Sequence, residues 1–313
     1  MSDPPLPLPL PTRRIPVAFD METRDPDDAL TLCLLATHPA VELLAVTATP
    51  GTPAQLGVIR EILRRLAVDL PVAARAPGST ADAVSPFHYA WLGTPSPVAG
   101  TLIAHALLAE ILQQRPECTL LTGAPLHTLH ELLVHHPELS ISRWVAQGGF
   151  AGDNLVPASH RLEKFAGLRR CESYNFGHNK TAARAALTSP RILQRRLVSK
   201  NVTHGLAWDQ NLDRQLAGLD ETSAGLRLMR EAMALYLHDK PLGKLLHDPL
   251  AAVAAIDPDA FEWREVEVTY AQGRWGAEPA PGSGTFITVA VDRQRALATL
   301  VAPARLTNTR TLP

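Results

Sequence analysis

Cysteine is scarce in this chain of 313 residues. The three cysteines that occur, Cys33, Cys118 and Cys171, are widely spaced and form no Cys-x-x-Cys pair. Disulfide-stapled domains and structural zinc sites need more cysteines at closer spacing. We therefore exclude a disulfide framework and a cysteine-rich zinc site, and we predict reduced thiols in a cytoplasmic protein.

Other features that the sequence lacks narrow its function. The formal net charge is −1, whereas proteins that bind the backbone of nucleic acids carry an excess of Lys and Arg. No apolar run reaches the roughly 18 residues of a membrane span, and the first residues do not have the pattern of a signal peptide. The glycine motifs of phosphate-binding loops do not occur either. These absences argue against a nucleic-acid or membrane partner and against a cofactor held in a phosphate-binding loop.

Proline is concentrated at the N-terminus, in MSDPPLPLPLPTRR. This composition predicts a disordered tail, which we assign to residues 1–13. No comparable linker follows, so residues 14–313 are predicted to form one domain. In its first part, short apolar runs alternate with stretches that carry apolar residues at helical spacing, which is typical of a parallel sheet with crossover helices. The predicted fold class is α/β: a single doubly wound, mostly parallel sheet flanked by helices, with a small C-terminal β-hairpin.

Five carboxylates fall within nine residues where the first predicted strand passes into a helix. The stretch is FDMETRDPDDAL, with Asp20, Glu22, Asp25, Asp27 and Asp28. One such residue is explained by the start of a helix, where negative charge is favourable. Five at the carboxyl end of one strand repel one another unless a cation joins them, and Ca²⁺ and Mg²⁺ prefer oxygen ligands. The stretch therefore predicts a divalent-cation site.

A second acidic motif lies in LLHDPLAAVAA, where His247 and Asp248 precede Pro249 at a predicted helix start. Alone, this is a common helix N-terminus. Together with the first cluster it indicates one shared site, in which carboxylates hold a metal and His247 donates a proton. A metal lowers the pKa of a bound water, and a carboxylate can then accept the proton of that water.

The order of these and other motifs resembles that of the nucleoside hydrolase family (inosine–uridine preferring type). That family opens with a strand and a DxDPGxDD signature, and it ends with His-Asp-Pro or His-Asp-Ala. The matching stretches, over roughly residues 14–300, are DMETRDPDDAL, VELLAVTATPGT, LLTGAPLHTL, VAQGGFAGDN, CESYNFGHNKTAARAAL and LLHDPLAAVAAIDP.

The resemblance implies calcium-dependent hydrolysis of the N-glycosidic bond of a ribonucleoside or related N-riboside, in purine or pyrimidine metabolism. It further implies one Ca²⁺ per chain, favoured over Mg²⁺, and a homodimer or homotetramer. His247 matches the residue that protonates the leaving group. The implied metal ligands are Asp20 or Glu22, Asp28, the Gly123 carbonyl and Asp248, and the implied sugar-binding residues are Asp27, Asn154, Glu172 and Asn175.

The position of the catalytic base is open, since the motif departs from the family pattern. Glu22 matches the family's catalytic Asp if one residue is inserted before Asp27, whereas a longer insertion gives that place to Asp20. Thr23 and Arg24 replace Pro-Gly. Arg24 either pairs with a carboxylate or meets an anionic group of the substrate.

Two other functions remain as alternatives. FDMET resembles the opening motif of haloacid dehalogenase phosphatases, with Asp20 as nucleophile and Glu22 as acid/base. The altered signature is also compatible with a non-catalytic binding protein on the nucleoside hydrolase fold. The late His247-Asp248 pair favours the hydrolase.

Overall fold

A central sheet organises the computed structural model, which describes residues 14–302. The predicted tail of residues 1–13 lies outside the described residues. The strands in chain order are β1 (Ile15–Met21), β2 (Val41–Ala48), β3 (Val72–Ala74), β4 (Thr119–Thr122), β5 (Arg143–Gln147), β6 (Arg170–Cys171), β7 (Arg195–Val198), β8 (Ala207–Trp208), β9 (Lys244–Leu245), β10 (Phe261–Ala271), β11 (Arg274–Pro279) and β12 (Thr285–Val291).

Helices connect and cover these strands. They are α1 (Pro26–Thr37), α2 (Pro53–Arg65), α3 (Pro86–Leu92), α4 (Ala104–Gln114), α5 (His127–His135), α6 (Tyr174–His178), α7 (Lys180–Thr188), α8 (Lys200–Thr203), α9 (Gln210–Gln215), α10 (Ala224–Asp239), α11 (His247–Ile256) and α12 (Arg293–Leu300). Short 3₁₀ turns lie at Ala158–His160, Glu163–Phe165, Leu219–Thr222 and Pro258–Ala260. Within residues 14–302, no helix combines the length and the hydropathy needed to cross a membrane.

The strand order is β3-β2-β1-β4-β5-β7-β12-β10-β11-β6. Pairing is parallel from β3 to β12 and antiparallel from there to β6. The chain reverses its direction of travel across the sheet between β1 and β4, and such switch points are where open α/β sheets bind ligands. The predicted fold class is confirmed. The predicted C-terminal hairpin is larger than expected, because β11 lies between its two strands along the chain and β12 joins the parallel part of the sheet.

The core explains why β1 has no polar face. Val17, Phe19 and Met21 are buried on one face of the strand, and Ala18 and Asp20 are buried on the other, since helices cover both faces of the sheet. On one face, α1 packs against α11, which is rich in buried alanine. Small side chains let the two helices approach closely, and both helices begin at the carboxyl edge of the sheet. This packing brings the two acidic motifs together.

The sequence alone predicts a loop with aromatic residues over residues 81–100 and a strand over Arg195–His204, and the structure differs in both. The aromatic segment of residues 81–100, predicted as a loop, contains α3, whose first turn begins where the Ser85 hydroxyl accepts a hydrogen bond from the Phe87 amide (3.3 Å). The strand predicted over Arg195–His204 ends at Val198 and is followed by α8. It ends because the Thr288 side chain, rather than a neighbouring backbone carbonyl, accepts the Ser199 N–H at 2.8 Å.

Candidate active site

A cavity of about 370 Å³ opens at the carboxyl edge of the sheet. It lies over the ends of β1, β4 and β5 and is closed on one side by the start of α11. Of the residues implied by the resemblance, the following line it: Glu22, Asp27, Asp28, Gly123, Asn175, His247 and Asp248. The two acidic motifs therefore share one site, as the sequence predicts.

The floor of the cavity is a group of three buried carboxylates. One oxygen each of Asp27, Asp28 and Asp248 lies within 4.8 Å of the other two. Asp25 is the N-cap residue of α1, but its side chain makes no capping hydrogen bond. Helix capping therefore does not account for the acidic cluster, and the start of each helix contributes favourable positive potential to the site.

The buried carboxylates of this floor repel one another, and a cation would offset that repulsion. Burial raises the pKa of Asp28 well above its ordinary value, and the neighbouring Asp27 and Glu22 raise it further. Burial and Asp28 act in the same direction on the pKa of Asp248. Among the described residues, Asp248 Oδ1 and Asn175 Oδ1 are buried without a hydrogen-bond partner. Clustered carboxylates with an unused oxygen fit a hard divalent cation.

Gly123 fits between two of the carboxylates because it has no side chain. A Cβ atom there would lie 2.6 Å from Asp28 Oδ1 and 3.1 Å from Asp248 Oδ1. The Gly123 carbonyl faces the same region, where it accepts a hydrogen bond from Asn175 Nδ2 (2.6 Å). Asn175 Nδ2 also lies 3.0 Å from Gln147 Oε1, so the Asn175 side chain is fixed by two strand ends.

The structure separates the two candidates for the catalytic base. Glu22 lines the cavity, and its amide donates a hydrogen bond to Asp28 Oδ1 (3.2 Å). Asp20 points into the protein behind it, where it accepts a hydrogen bond from the Thr47 hydroxyl (2.6 Å). Residues two positions apart in a strand face the same side, but Asp20 and Glu22 point in different directions because β1 ends at Met21, before Glu22. Of the two candidates, Glu22 is therefore the one that reaches the cavity, and the identity of the base stays a prediction.

Burial also sets the basicity of Glu22. It raises the pKa of this carboxyl to about 7, opposed by the nearby Arg24 guanidinium and assisted by Asp27. Arg24 is exposed and lines the cavity mouth. A carboxylate with this pKa is a stronger base at neutral pH than an ordinary glutamate.

Two of the implied sugar-binding residues lie outside the cavity. Asn154 donates a hydrogen bond to the Ala277 carbonyl (2.8 Å), which fastens it to β11. Glu172 is exposed, and its carbonyl accepts a hydrogen bond from Lys200 Nζ (3.2 Å). Ser173 and Tyr174 line the cavity instead. Asn154 and Glu172 therefore do not line this cavity, and their role in sugar binding stays a prediction.

His247 lies against the acidic floor. Its Nδ1 atom shares a hydrogen bond of 2.9 Å with the Thr203 hydroxyl, and its ring centroid lies 5.0 Å from that of His204. Burial, followed by the charge of Lys244, lowers the pKa of His247 to about 3. The imidazole is therefore neutral at neutral pH.

Lys244 is a component of the site that the sequence analysis did not find. Its Nζ atom lies 2.9 Å from Asp25 Oδ1 and 3.4 Å from Asp27 Oδ1. Burial would lower the pKa of Lys244, but Asp27 and Asp25 raise it above its ordinary value. The available signal was a lysine inside the apolar stretch PLGKLLHDP, three residues before His247.

Comparison with known proteins decides the family. The family model of inosine-uridine preferring nucleoside hydrolases matches residues 17–308. The chain belongs to this family. The prediction of a nucleoside hydrolase, an enzyme that hydrolyses N-glycosyl compounds, is thereby confirmed. Membership in this family argues against the phosphatase alternative, and Asp20, the nucleophile that a phosphatase would require, does not line the cavity.

The relatives are distant, as expected of a divergent nucleoside hydrolase. An uncharacterized protein of Aquifex aeolicus (strain VF5) is 27% identical over 287 residues, 87% of this chain and 94% of that protein. The pyrimidine-specific ribonucleoside hydrolase RihA of Citrobacter koseri is 32% identical over 162 residues, which is 46% of this chain and 52% of that enzyme. The solved structure of a plant nucleoside hydrolase is 20% identical, with a TM-score of 0.68 over 93% of this chain and 98% of that one. At that identity, the structural likeness shows the shared fold.

Proposed function

We propose that this nucleoside hydrolase cleaves the N-glycosidic bond of a ribonucleoside or related N-riboside with the help of one Ca²⁺ ion per chain. The products are the free base and ribose. The observation that carries the proposal is the buried group of Asp27, Asp28 and Asp248 on the floor of a cavity that Glu22 and His247 also line.

Asp28, Asp248 and the Gly123 carbonyl are the groups that would hold the ion. Ca²⁺ is favoured over Mg²⁺ because it accepts a larger and less regular set of oxygen ligands. Its charge would offset the repulsion among the carboxylates, bind hydroxyls of the sugar and lower the pKa of a nearby water. Asp27, beside these groups, is placed to accept a hydrogen bond from a sugar hydroxyl.

Glu22 is the proposed general base. Hydrolysis adds water across the bond between the anomeric carbon and the base nitrogen, so the hydroxyl goes to the carbon and a proton goes to the base. Glu22 accepts the proton that the attacking water loses, a role that its raised pKa favours. Positive charge develops on the sugar as the bond breaks, and the remaining carboxylates stabilise that charge.

His247 is the proposed proton donor to the leaving base. In the tautomer in which Nδ1 accepts the Thr203 hydroxyl proton, Nε2 carries the ring proton. A neutral imidazole is a weak acid, so the contribution of His247 depends on the basicity of the departing nitrogen. Replacing His247 with Ala is expected to slow bases that leave poorly more than bases that leave readily.

The test is to incubate the full chain and Ca²⁺ with a panel of purine and pyrimidine ribonucleosides, and to measure free base and reducing sugar with and without a chelator. Release of both products that the chelator abolishes is the expected result. Ca²⁺ binding without release across the panel would favour the non-catalytic alternative. Release that a chelator leaves unchanged would contradict the calcium dependence.

Asp28→Asn ties the ion to the reaction. The variant is expected to lose Ca²⁺ binding and hydrolysis together, because one carboxylate of a buried pair is removed. Asp69→Asn is the matched control, since the Asp69 side chain is exposed and lies outside the cavity. Full activity of Asp28→Asn would show that the metal assignment is wrong.

A cytoplasmic location and a homodimer or homotetramer remain predictions. The unpaired state of Cys33, Cys118 and Cys171 supports a reducing compartment. Light scattering of the purified chain measures the oligomeric state, and fractionation of cells that produce it measures the location.

A further inference from the structure

Lys244 lies in a two-stranded β-ribbon next to two carboxylates of the cavity, those of Asp25 and Asp27. Strand β9 pairs antiparallel with β8, with Lys244 opposite Trp208, and this two-stranded ribbon is separate from the central sheet. Gly243, just before it, has a φ of +91°, and a Cβ atom there would lie 2.4 Å from the Trp208 carbonyl oxygen. The turn therefore requires glycine, and it directs Lys244 inward, where 5% of the residue is exposed.

The ammonium group of Lys244 divides the acidic cluster into two halves. Its Nζ atom bridges Asp25 and Asp27, at 2.9 and 3.4 Å. The other half is Asp28 and Asp248, which both adjoin Gly123. Asp27 lies within reach of both halves, since its carboxylate also belongs to the group that can hold a metal. An unrestrained Asp27 could therefore turn toward a cation beside Asp28.

We propose that Lys244 is a positioning residue that holds Asp27 as a sugar-binding group and keeps it from serving as a full ligand of the metal ion. The inference rests on the proposed function, because it takes Asp28 and Asp248 as the metal ligands. Lys244 thus makes Ca²⁺ binding weaker than the acidic cluster alone would make it. It also keeps one carboxylate free for the substrate.

The two consequences of removing the ammonium have opposite signs. The loss of a positive charge close to a divalent cation, together with a freed carboxylate, tightens Ca²⁺ binding by at least about tenfold, since a charge a few ångströms from a divalent ion has that effect even at the dielectric constant of water. Loss of the anchor of Asp27 weakens the hold on the sugar in both ground and transition states, so KM rises while kcat changes little. A lysine that only supported the fold would, when removed, weaken both metal and substrate binding.

The experiment compares the wild type with Lys244→Gln by calorimetric titration of the metal-free full chain with Ca²⁺, and by measurement of kcat and KM. Tighter Ca²⁺ binding with a raised KM is the expected result. Lys244→Arg, which keeps the charge, is expected to stay near wild type in Ca²⁺ affinity. Lys240→Gln, an exposed lysine at the end of α10, is the matched control.

A second pair of variants covers the case in which Lys244→Gln does not fold. Asp25→Asn with Lys244→Met removes one charge of each sign, and it is expected to bind Ca²⁺ more tightly than Asp25→Asn alone. Equal or weaker binding in folded Lys244 variants would overturn the inference and leave the proposed function standing. A wild type that binds no Ca²⁺ would overturn both.

Discussion

Asp28 and Asp248 both adjoin Gly123, although one belongs to α1 and the other to α11, far apart in the chain. A Cβ atom at position 123 would lie 2.6 Å from Asp28 Oδ1 and 3.1 Å from Asp248 Oδ1, so the two carboxylates occupy space that a side chain there would need. The residue after β4 therefore leaves room for both carboxylates only because it has no side chain. A cation held by Asp28 and Asp248 would need this position to stay free of a side chain.

Gly123→Ala is accordingly expected to weaken Ca²⁺ binding by about fivefold to a hundredfold, because a methyl group forced into a packed site displaces its neighbours at a cost of roughly 1–3 kcal/mol. Calorimetric titration measures the change. Gly177→Ala is the control, since a Cβ atom at Gly177 meets nothing within 4 Å. Unchanged Ca²⁺ affinity in Gly123→Ala would mean that the ion does not bind between Asp28 and Asp248.

The assignment of the general base is tested by two variants at positions two residues apart, at the end of β1. Glu22→Gln is expected to lower kcat by about 10²–10⁴, the usual contribution of a general base, and to keep the fold. Asp20→Asn is expected to retain most of kcat, since the Asp20 side chain does not line the cavity. Steady-state kinetics on the best substrate of the panel give both values. A larger loss in Asp20→Asn than in Glu22→Gln would reverse the assignment.

Of the residues implied to bind the sugar, Asn175 lines the cavity and Asn154 does not, which gives a paired prediction. Asn175→Ala is expected to raise KM by about tenfold or more, because it removes a buried amide that bridges Gly123 and Gln147 at the cavity wall. Asn154→Ala removes a hydrogen bond to β11 outside the cavity and is expected to leave KM unchanged. The two KM values are measured with the same nucleoside. A raised KM in Asn154→Ala would restore the sequence-based assignment.

Local sequence was sufficient to predict the positions of those site residues that lie at a strand end or at a helix start. Asp28 and Asp248 each lie in the first turn of a helix that also contains a proline, so their places follow from short-range signals. Lys244 could not be found in this way, because its position depends on a pairing of two-residue strands that leave no pattern. The contact of Asn154 with β11 could not be predicted either, because it joins residues 123 positions apart in the chain.

The same limit applied to the fold. The alternation of strands and helices predicted the parallel sheet, since each apolar run is buried on both faces. The end of β7 was not predicted, because it depends on Thr288, a residue of a distant strand that accepts the Ser199 amide proton. Contacts between residues far apart in sequence, rather than local propensity, set such boundaries.

Asp20 makes a final prediction that concerns stability rather than catalysis. Burial raises the pKa of this carboxyl from 3.8 to about 7, against the lowering effect of hydrogen bonds from Thr47 and Thr128. The folded protein therefore holds this proton more tightly than the unfolded chain. The stabilising contribution is complete below pH 3.8, is lost as pH rises through about 7, and changes little above that.

Asp20→Asn removes this dependence while keeping an oxygen that can accept the Thr47 hydroxyl. The free energy of unfolding of the metal-free wild type, measured in urea, is expected to fall relative to that of Asp20→Asn between about pH 4 and pH 7, and the difference should then level off. The difference in the free energy of unfolding between the two proteins cancels the contributions of the buried histidines His38 and His247. Their lowered pKa values change stability in the opposite direction over part of this pH range. A difference that stays constant from pH 4 to pH 8 would show that Asp20 is ionised in the folded protein throughout, and that a cationic partner compensates for its burial.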